Sequence, residues 1–412
     1  MNLNPNPKAL LLENIHTDGK TLLESSGVDV DLLSGGLSED ELIETLNSKN
    51  YEFLGVRSAT KVTRKVIENC PNLISVGAFS IGTNQLDLQA CSDYGIAAFN
   101  APFSNTRSVV ELAIAEIIAL SRQLTLRDKK LHNGDWDKTA KGSFEIRHKT
   151  LGIIGYGNIG SQLSVLAESL GMHVVFYDIN EKLSLGNATR IDTIEELLSI
   201  SDFVTIHVDG RKENTNFFDE EYFSQMKDGA YFINLSRGFI VDTDALVKNL
   251  KSGKIAGAGV DVFPTEPKSQ GDHFEHELQN IDNVILTPHV GGSTLEAQKA
   301  IGTFVTSKML SFYQNGATDL SVNLPEITLK KFQDEDPDSI ARILHIHKNL
   351  PGIMSQINSI LGENNVNIER QQLATRNEFG YVATDVSSSI SEDILSKLFA
   401  IDGTLRVRII NK

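Results

Sequence analysis

Cysteine is nearly missing: Cys70 and Cys91 are the only two in 412 residues, too few for a disulfide framework or a thiolate metal cluster. Both read as small buried hydrophobes of a protein held in a reducing compartment, the cytoplasm. Positive charge is also short. Lys and Arg number 38 against 54 Asp and Glu, a formal charge of -16, so no nucleic-acid surface working by counterion release is expected. Long apolar runs are absent too, and spanning a bilayer takes about 18 uninterrupted residues. The longest candidate, VVELAIAEIIAL, is broken by Glu111 and Glu116. The start, MNLNPNPKALLLEN, carries no basic segment before its four apolar residues, so neither a signal peptide nor a membrane anchor is expected. What is present is 40% hydrophobic and 22% charged residues, the balance of a packed protein of two or three domains.

Short apolar runs, ALLL at 9–12, YEFLGV at 51–56, LISVGAF at 73–79 and GIAAFN at 95–100, alternate with polar stretches of helical length. That rhythm predicts βαβ units on a parallel sheet. Residues 106–132 predict one long helix. A second series begins at Leu151 and runs through HVVFYD, FVTIHV, AYFINLS, IAGAGVDVF and NVILTPH, six strand candidates that predict a doubly wound α/β sheet. STLEAQKAIGTFVTSKMLSFYQNG then reads as a helix returning the chain to the first domain. A polar stretch, SVNLPEITLKKFQDEDPDS, reads as a linker with a boundary near 325–338. Residues 339–412 follow the order βαββαβ, in which Ile353, Ile357, Ile360 and Leu361 share a helix face. In the last strand Leu405, Val407 and Ile409 alternate with Arg406 and Arg408, predicting one side to bury.

The stretch LGIIGYGNIG, residues 151–160, places three glycines directly after a strand and at the head of a helix marked by Leu163, Leu166, Ala167 and Leu170. Gly155 suits a tight turn, Gly157 a close approach of backbone to a pyrophosphate, and Gly160 close packing of helix on strand. The amides around Asn158 and Ile159 would donate to the phosphates. Asp178, at the end of the next strand, suits a ribose diol and repels a 2′-phosphate, which favours NAD over NADP. Three further residues fall where strands of such a sheet end: Arg237, Glu266 and His289. A guanidinium grips a carboxylate, an imidazole moves a hydroxyl proton near neutral pH, and a carboxylate orients that imidazole. Together they fit a dehydrogenase of 2-hydroxy acids. No metal is expected.

LGIIGYGNIGSQL, NLSRGFIVD, GAGVDVFPTEP and LTPHVGGST together resemble the NAD-dependent D-2-hydroxyacid dehydrogenases. The resemblance covers nearly the whole chain. It implies a Rossmann domain (104–292) inserted into a flavodoxin-like substrate domain (1–103 and 293–330), with an ACT-like regulatory domain at 339–412. It implies catalysis by Arg237, Glu266 and His289, and cofactor contacts at Asn158, Ile159, Asp178, Leu235, Ser236, Arg237, Asp261, His289, Val290, Gly291 and Gly292. The ACT-like unit narrows the likeness to members that oxidise 3-phosphoglycerate to 3-phosphohydroxypyruvate at the head of serine synthesis. For the substrate it implies Arg57 and Ser58 of VRSAT, Asn105 of FSNTRS, and Trp136 and Lys138 of GDWDK. His347, Asn349 and Asn367 are implied as contacts of an L-serine effector bound between two ACT-like units of a homotetramer. Two departures stand out: Ala59, where some relatives carry a second Arg, and Asp209, where Pro is usual. A glyoxylate or hydroxypyruvate reductase with the same machinery, and an NAD-sensing corepressor-like binder, remain as alternatives.

Overall fold

The computed structural model describes residues 4, 6–267, 271–332 and 339–411. The last part of the expected linker, 333–338, lies outside the described residues, as do positions 1–3 and 5 of the N-terminal segment. The chain forms two compact units, Met1–Ser104 with Gln298–Lys412, and Asn105–Ala297.

In the first unit β1 (Lys8–Leu11), β2 (Asp29–Leu32), β3 (Phe53–Val56), β4 (Ser75–Ala78) and β5 (Ala97–Phe99) alternate with α1 (Thr17–Ser25), α2 (Glu39–Lys49), α3 (Arg64–Asn69) and α4 (Leu88–Asp93). The strands pair in parallel in the order β2-β1-β3-β4-β5, the flavodoxin-like arrangement. Strand alternation sorts the core. Leu10, Leu54, Val76 and Ala98 join Leu42, Leu46, Val66 and Cys91 on one face, while Ala9, Leu11, Phe53 and Phe99 join Val305, Met309 and Phe312 on the other. Cys70 and Cys91 are buried, which pushes their thiols up to about 11 and about 12. Strand β2 is absent from the sequence expectations because DVDL alternates acid with apolar residues and lies at the sheet edge, half exposed.

The second unit opens with α5 (Thr106–Ser121) and α6 (Leu124–His132), a correction to the single helix expected over 106–132. Gln123 adopts a left-handed φ of 51°, and the returning chain docks there, Phe144 N–H donating to Ser121 O at 3.0 Å. No glycine or proline marks this break. Then come β6 (Thr150–Ile154), α7 (Asn158–Ser169), β7 (His173–Tyr177), β8 (Thr189–Arg190), α8 (Ile194–Ile200), β9 (Phe203–Ile206), α9 (Glu220–Gln225), β10 (Ala230–Asn234), α10 (Thr243–Ser252), β11 (Ile255–Val260) and β12 (Val284–Leu286). Their order, β12-β11-β10-β9-β6-β7-β8, is parallel throughout and reverses direction at β6 and β9, where such sheets bind ligands. All six predicted strands are present; the two-residue β8 was not foreseen.

Helix α11 (Leu295–Asn315) leads back towards the first sheet, and β13 (Ala341–Lys348), α12 (Ile353–Glu363), β14 (Ile368–Arg376), β15 (Phe379–Val386), α13 (Glu392–Phe399) and β16 (Thr404–Asn411) complete the chain. Their sheet is antiparallel, ordered β14-β15-β13-β16, with α12 and α13 on one face. The other face is covered as well: Leu344, Ile346, Tyr381, Ala383 and Ile410 share a core with Phe312 and Tyr313, inside the first unit. The one-sided expectation for β16 is therefore corrected. Arg406 and Arg408 are buried, donating to the carbonyls of Leu73 and Tyr313 at 2.7 Å each, with the Arg408 guanidinium over the Phe312 and Tyr313 rings. Guanidiniums tolerate burial where planar faces and carbonyls receive them.

Candidate active site

The glycine turn is built as a cradle. At Gly155 φ is +93° and a Cβ would sit 2.6 Å from the His207 carbonyl oxygen, so glycine alone takes the corner. At Gly160 a Cβ would overlap the Gly155 carbonyl, which fixes how closely α7 packs. Gly157 differs. Nothing lies within 4 Å of where its Cβ would be, so its backbone faces open space. It precedes α7 with no side-chain cap, leaving the Asn158 and Ile159 amides open at the positive end of the helix. A bare backbone and uncapped amides suit a pyrophosphate. Asp178 holds the turn, its Oδ2 accepting from Tyr156 N–H at 2.8 Å and its Oδ1 from Asn180 N–H at 2.9 Å. Each oxygen keeps a lone pair for a ribose hydroxyl.

Because β10, β11 and β12 are neighbours, the loops leaving their carboxyl ends emerge side by side, carrying Arg237, Glu266 and His289. Asn234 shapes the first loop: its Oδ1 accepts from Ser236 N–H and Oγ at 3.0 and 2.7 Å, and its Nδ2 donates to Arg237 O at 3.1 Å. A Cβ at Gly238 would overlap the Phe263 backbone, so the Arg237 turn is pressed against the segment leading to Glu266. The Arg237 Nη1 donates to Ser236 O at 2.7 Å. Burial lowers its pKa and the Glu266 charge opposes that; a guanidinium so far above neutral stays cationic at working pH.

His289 Nδ1 lies 2.9 Å from Glu266 Oε2, and Glu266 Oε1 accepts the Phe263 N–H at 3.1 Å. The hydrogen bond to Glu266 raises the imidazole pKa above its ordinary value against the pull of burial. For Glu266, burial pushes upward, but the His289 and Phe263 hydrogen bonds and the nearby cations outweigh it and hold the carboxyl below its ordinary range. With Nδ1 donating to Glu266, Nε2 is the nitrogen left to exchange a proton. The His289 backbone is left-handed, φ 53°, a strained geometry for a non-glycine residue. Asp261 enforces it. Its carbonyl accepts His289 N–H at 2.8 Å, its Oδ1 takes Thr287 Oγ1 and Val290 N–H at 2.6 and 2.8 Å, and its Oδ2 takes Gly291 N–H at 2.8 Å. The implied cofactor contact thus already serves as the staple of the His289 loop.

The remaining sequence candidates separate. Leu235 is buried; the Asn105 side chain packs where a Cβ at Gly292 would be, beside the His289 loop. Trp136 and Lys138 stand exposed on the loop after α6, pinned by Arg127 and Lys130 through Asp137 and Thr139, and neither bonds to the Arg237, Glu266 or His289 side chains. Asp209 spends its carboxylate on Arg211 and Asn214, and its neighbour Gly210 lies against the Arg237 side chain. Arg57 and Ser58 lie in the other unit, on the loop after β3. His347 is buried with Nδ1 2.7 Å from Lys348 O, near exposed Asn349, at the Lys348 end of β13. Asn367 immediately precedes β14, whose first residue, Ile368, pairs with Val386, which in turn pairs with Ala341 at the other end of β13. One β13 length, roughly 24 Å, separates them within a chain.

Several working residues escaped the sequence reading. Asn234 carries a local signal, an Asx residue two before Ser236. Thr287 and Glu13 carry none, since their partners are remote in sequence, and Glu116 carries none because its burial is a tertiary effect. Glu116 is buried over Gly259 with neither oxygen hydrogen-bonded, and burial plus the Asp261 charge push its carboxyl up to about 8.

Residues 114–291 match the family model described as "D-isomer specific 2-hydroxyacid dehydrogenase, NAD binding domain", and residues 343–406 match an "AHAS small subunit-like ACT domain". The chain is 48% identical over 404 residues, 98% of its own length and 97% of the relative's, to D-3-phosphoglycerate dehydrogenase of Haemophilus influenzae. It is 45% identical over 98% of its length and 97% of the relative's to D-3-phosphoglycerate dehydrogenase of Escherichia coli K12. Among solved structures, D-lactate dehydrogenase from Aquifex aeolicus complexed with NAD and lactic acid superposes with a TM-score of 0.64 at 28% identity, covering 74% of this chain and 95% of that one.

Proposed function

Because the chain belongs to the D-isomer specific 2-hydroxyacid dehydrogenase family, we propose that it oxidises 3-phospho-D-glycerate to 3-phosphohydroxypyruvate with NAD, the first step of phosphorylated serine synthesis. The observation that carries this reading is the His289–Glu266 pair beside Arg237 on adjoining loops, downstream of the open turn at Gly157. Residues 155–160 and Asp178 would hold NAD, which when bound would supply the hydride acceptor. Arg237 grips the substrate carboxylate and polarises C2–O. The C2 hydroxyl gives its proton to His289 Nε2, and Glu266 stabilises the imidazolium that results. Asp261 keeps that ring in place by holding the loop on both sides of it.

Arg57, with Ser58 on the same loop, is the proposed cation for the phosphate; Asn105, Trp136 and Lys138 of the other unit are the further proposed substrate contacts. Among the described residues no carboxylate pairs with the Arg57 guanidinium, which is half exposed. Replacing Arg57 with Gln is expected to raise KM for 3-phosphohydroxypyruvate while leaving unphosphorylated hydroxypyruvate little changed. Equal effects on both would return the assignment to a glyoxylate or hydroxypyruvate reductase. L-serine is the effector of the C-terminal sheet. It binds between two copies, His347 and Asn349 of one against the neighbour's Asn367, because one chain holds these groups at opposite ends of its sheet. Such shared sites fit a homotetramer in the cytoplasm, where Cys70 and Cys91 stay reduced.

A further inference from the structure

The loop after β3 presents three successive backbone N–H groups, those of Ser58, Ala59 and Thr60, towards one point, a concavity of the kind that receives anions. It is filled from within the chain. Glu13, on the loop after the adjacent parallel strand β1, accepts Ser58 N–H at 2.7 Å and Ala59 N–H at 2.9 Å on Oε2, and Thr60 N–H at 2.8 Å on Oε1. The Glu13 carbonyl lies 3.5 Å from Arg57 Nη1. On the far side Gln85, buried, donates to Arg57 O and to Ser80 Oγ, the latter at 3.0 Å. Thr60 Oγ1 accepts from Leu37 N–H at 3.2 Å, closing the back of the loop. Glu13 and Asn14 are both left-handed, φ 63° and 54°, a pair of unfavourable conformations kept only where surrounding bonds over-determine them.

We propose that Glu13 is a positioning residue for substrate phosphate: its carboxylate stands in permanently for an anion on the 58–60 amides and so fixes the backbone from which Arg57 projects. The proposal rests on the reading of Arg57 as the phosphate ligand. Three converging N–H donors, the connection through two left-handed residues, and a side chain half withdrawn from water make the carboxylate a poor candidate for displacement. Although burial pushes the Glu13 carboxyl upward, the amides of Ala59, Thr60 and Ser58 outweigh it and hold it below its ordinary range, so it stays ionised at working pH. The phosphate therefore meets the Arg57 side chain and the Ser58 hydroxyl, with the loop amides already spent. The missing second arginine at position 59 leaves more of the task to Arg57, and more depends on how firmly Arg57 is aimed.

The test is steady-state reduction by NADH of 3-phosphohydroxypyruvate and of hydroxypyruvate by the full-length protein, wild type, Glu13→Gln, Glu13→Asp and Arg57→Gln. Glu13→Gln is expected to raise KM for the phosphorylated substrate about tenfold or more, with a far smaller change in kcat and in the KM for hydroxypyruvate. Glu13→Asp keeps the charge on a shorter arm and is expected to move the same KM the same way by a smaller factor, with NADH affinity measured by fluorescence as the check on folding. A fall in KM for the phosphorylated substrate on Glu13→Gln would mean that the carboxylate competes for the phosphate site, and equal losses on both substrates would mean a role in folding alone; either overturns the proposal. If Arg57→Gln is selective for the phosphorylated substrate while both Glu13 variants are not, the phosphate assignment stands and the brace falls. If Arg57→Gln is unselective, both fall.

Discussion

At the residue scale, function follows from which carboxylates are ionised. Glu266 raises the pKa of His289, and in the proposed mechanism oxidation needs the neutral imidazole to receive the hydroxyl proton. kcat/KM for oxidation should therefore rise with pH through a value above the ordinary histidine range of about 6.5, and reduction should fall through the same value. Glu266→Gln should move that inflection down, which pH–rate profiles in both directions would register. Glu116 behaves oppositely, since its acid form is the one the fold accepts. The native state keeps a proton there that the unfolded chain gives up near pH 4.5, so stability should drain away as pH climbs from that range to about 8 and level off above it. Urea midpoints of Glu116→Gln should show a flatter dependence over that window. The placement of Arg237, Glu266 and His289 on adjoining loops was legible because each follows a recognisable strand. Glu13 was not, because its partners lie some 45 residues away and nothing near it in sequence announces them.

At the scale of elements, glycines with a stated geometric task were readable in advance. Gly155 could be assigned its corner from sequence because a strand precedes it and a helix follows. Gly155→Ala should destabilise by about 1–3 kcal/mol, given its positive φ and the His207 carbonyl 2.6 Å from the new methyl group, and denaturant titration would measure it. Asp261→Asn should loosen the strained His289 turn, lowering kcat more than it weakens NADH binding, because an amide cannot accept from Thr287, Val290 and Gly291 with the same charge. The break between α5 and α6 was illegible for a physical reason: it depends on Phe144 returning to cap the helix end, a tertiary contact that local propensity does not encode. Strand β2 was hidden by its edge position, where alternate side chains can remain polar.

At the scale of the molecule, the order of strands and the motif positions indicated the parallel sheets and the C-terminal βαββαβ fold. They did not show that β13, β15 and most of β16 are buried on both faces, since arginines in an alternating strand normally point to water. If serine sits between two copies, neither Asn349→Ala nor Asn367→Ala alone should respond to it. Reassembled mixtures of the two variants should regain inhibition, because one of the two sites in each mixed pair is intact. Failure to regain any inhibition, with mixed oligomers demonstrated, would count against the shared site. The most direct measurement of the whole account is the rate of NADH appearance from 3-phospho-D-glycerate and NAD, for wild type and for His289→Gln and Arg237→Gln of unchanged NAD affinity. The account predicts turnover by wild type and a loss of about 10² to 10⁴ in kcat/KM on removing the imidazole, with a comparable loss for the guanidinium. Wild-type turnover that survives either substitution undiminished would contradict it.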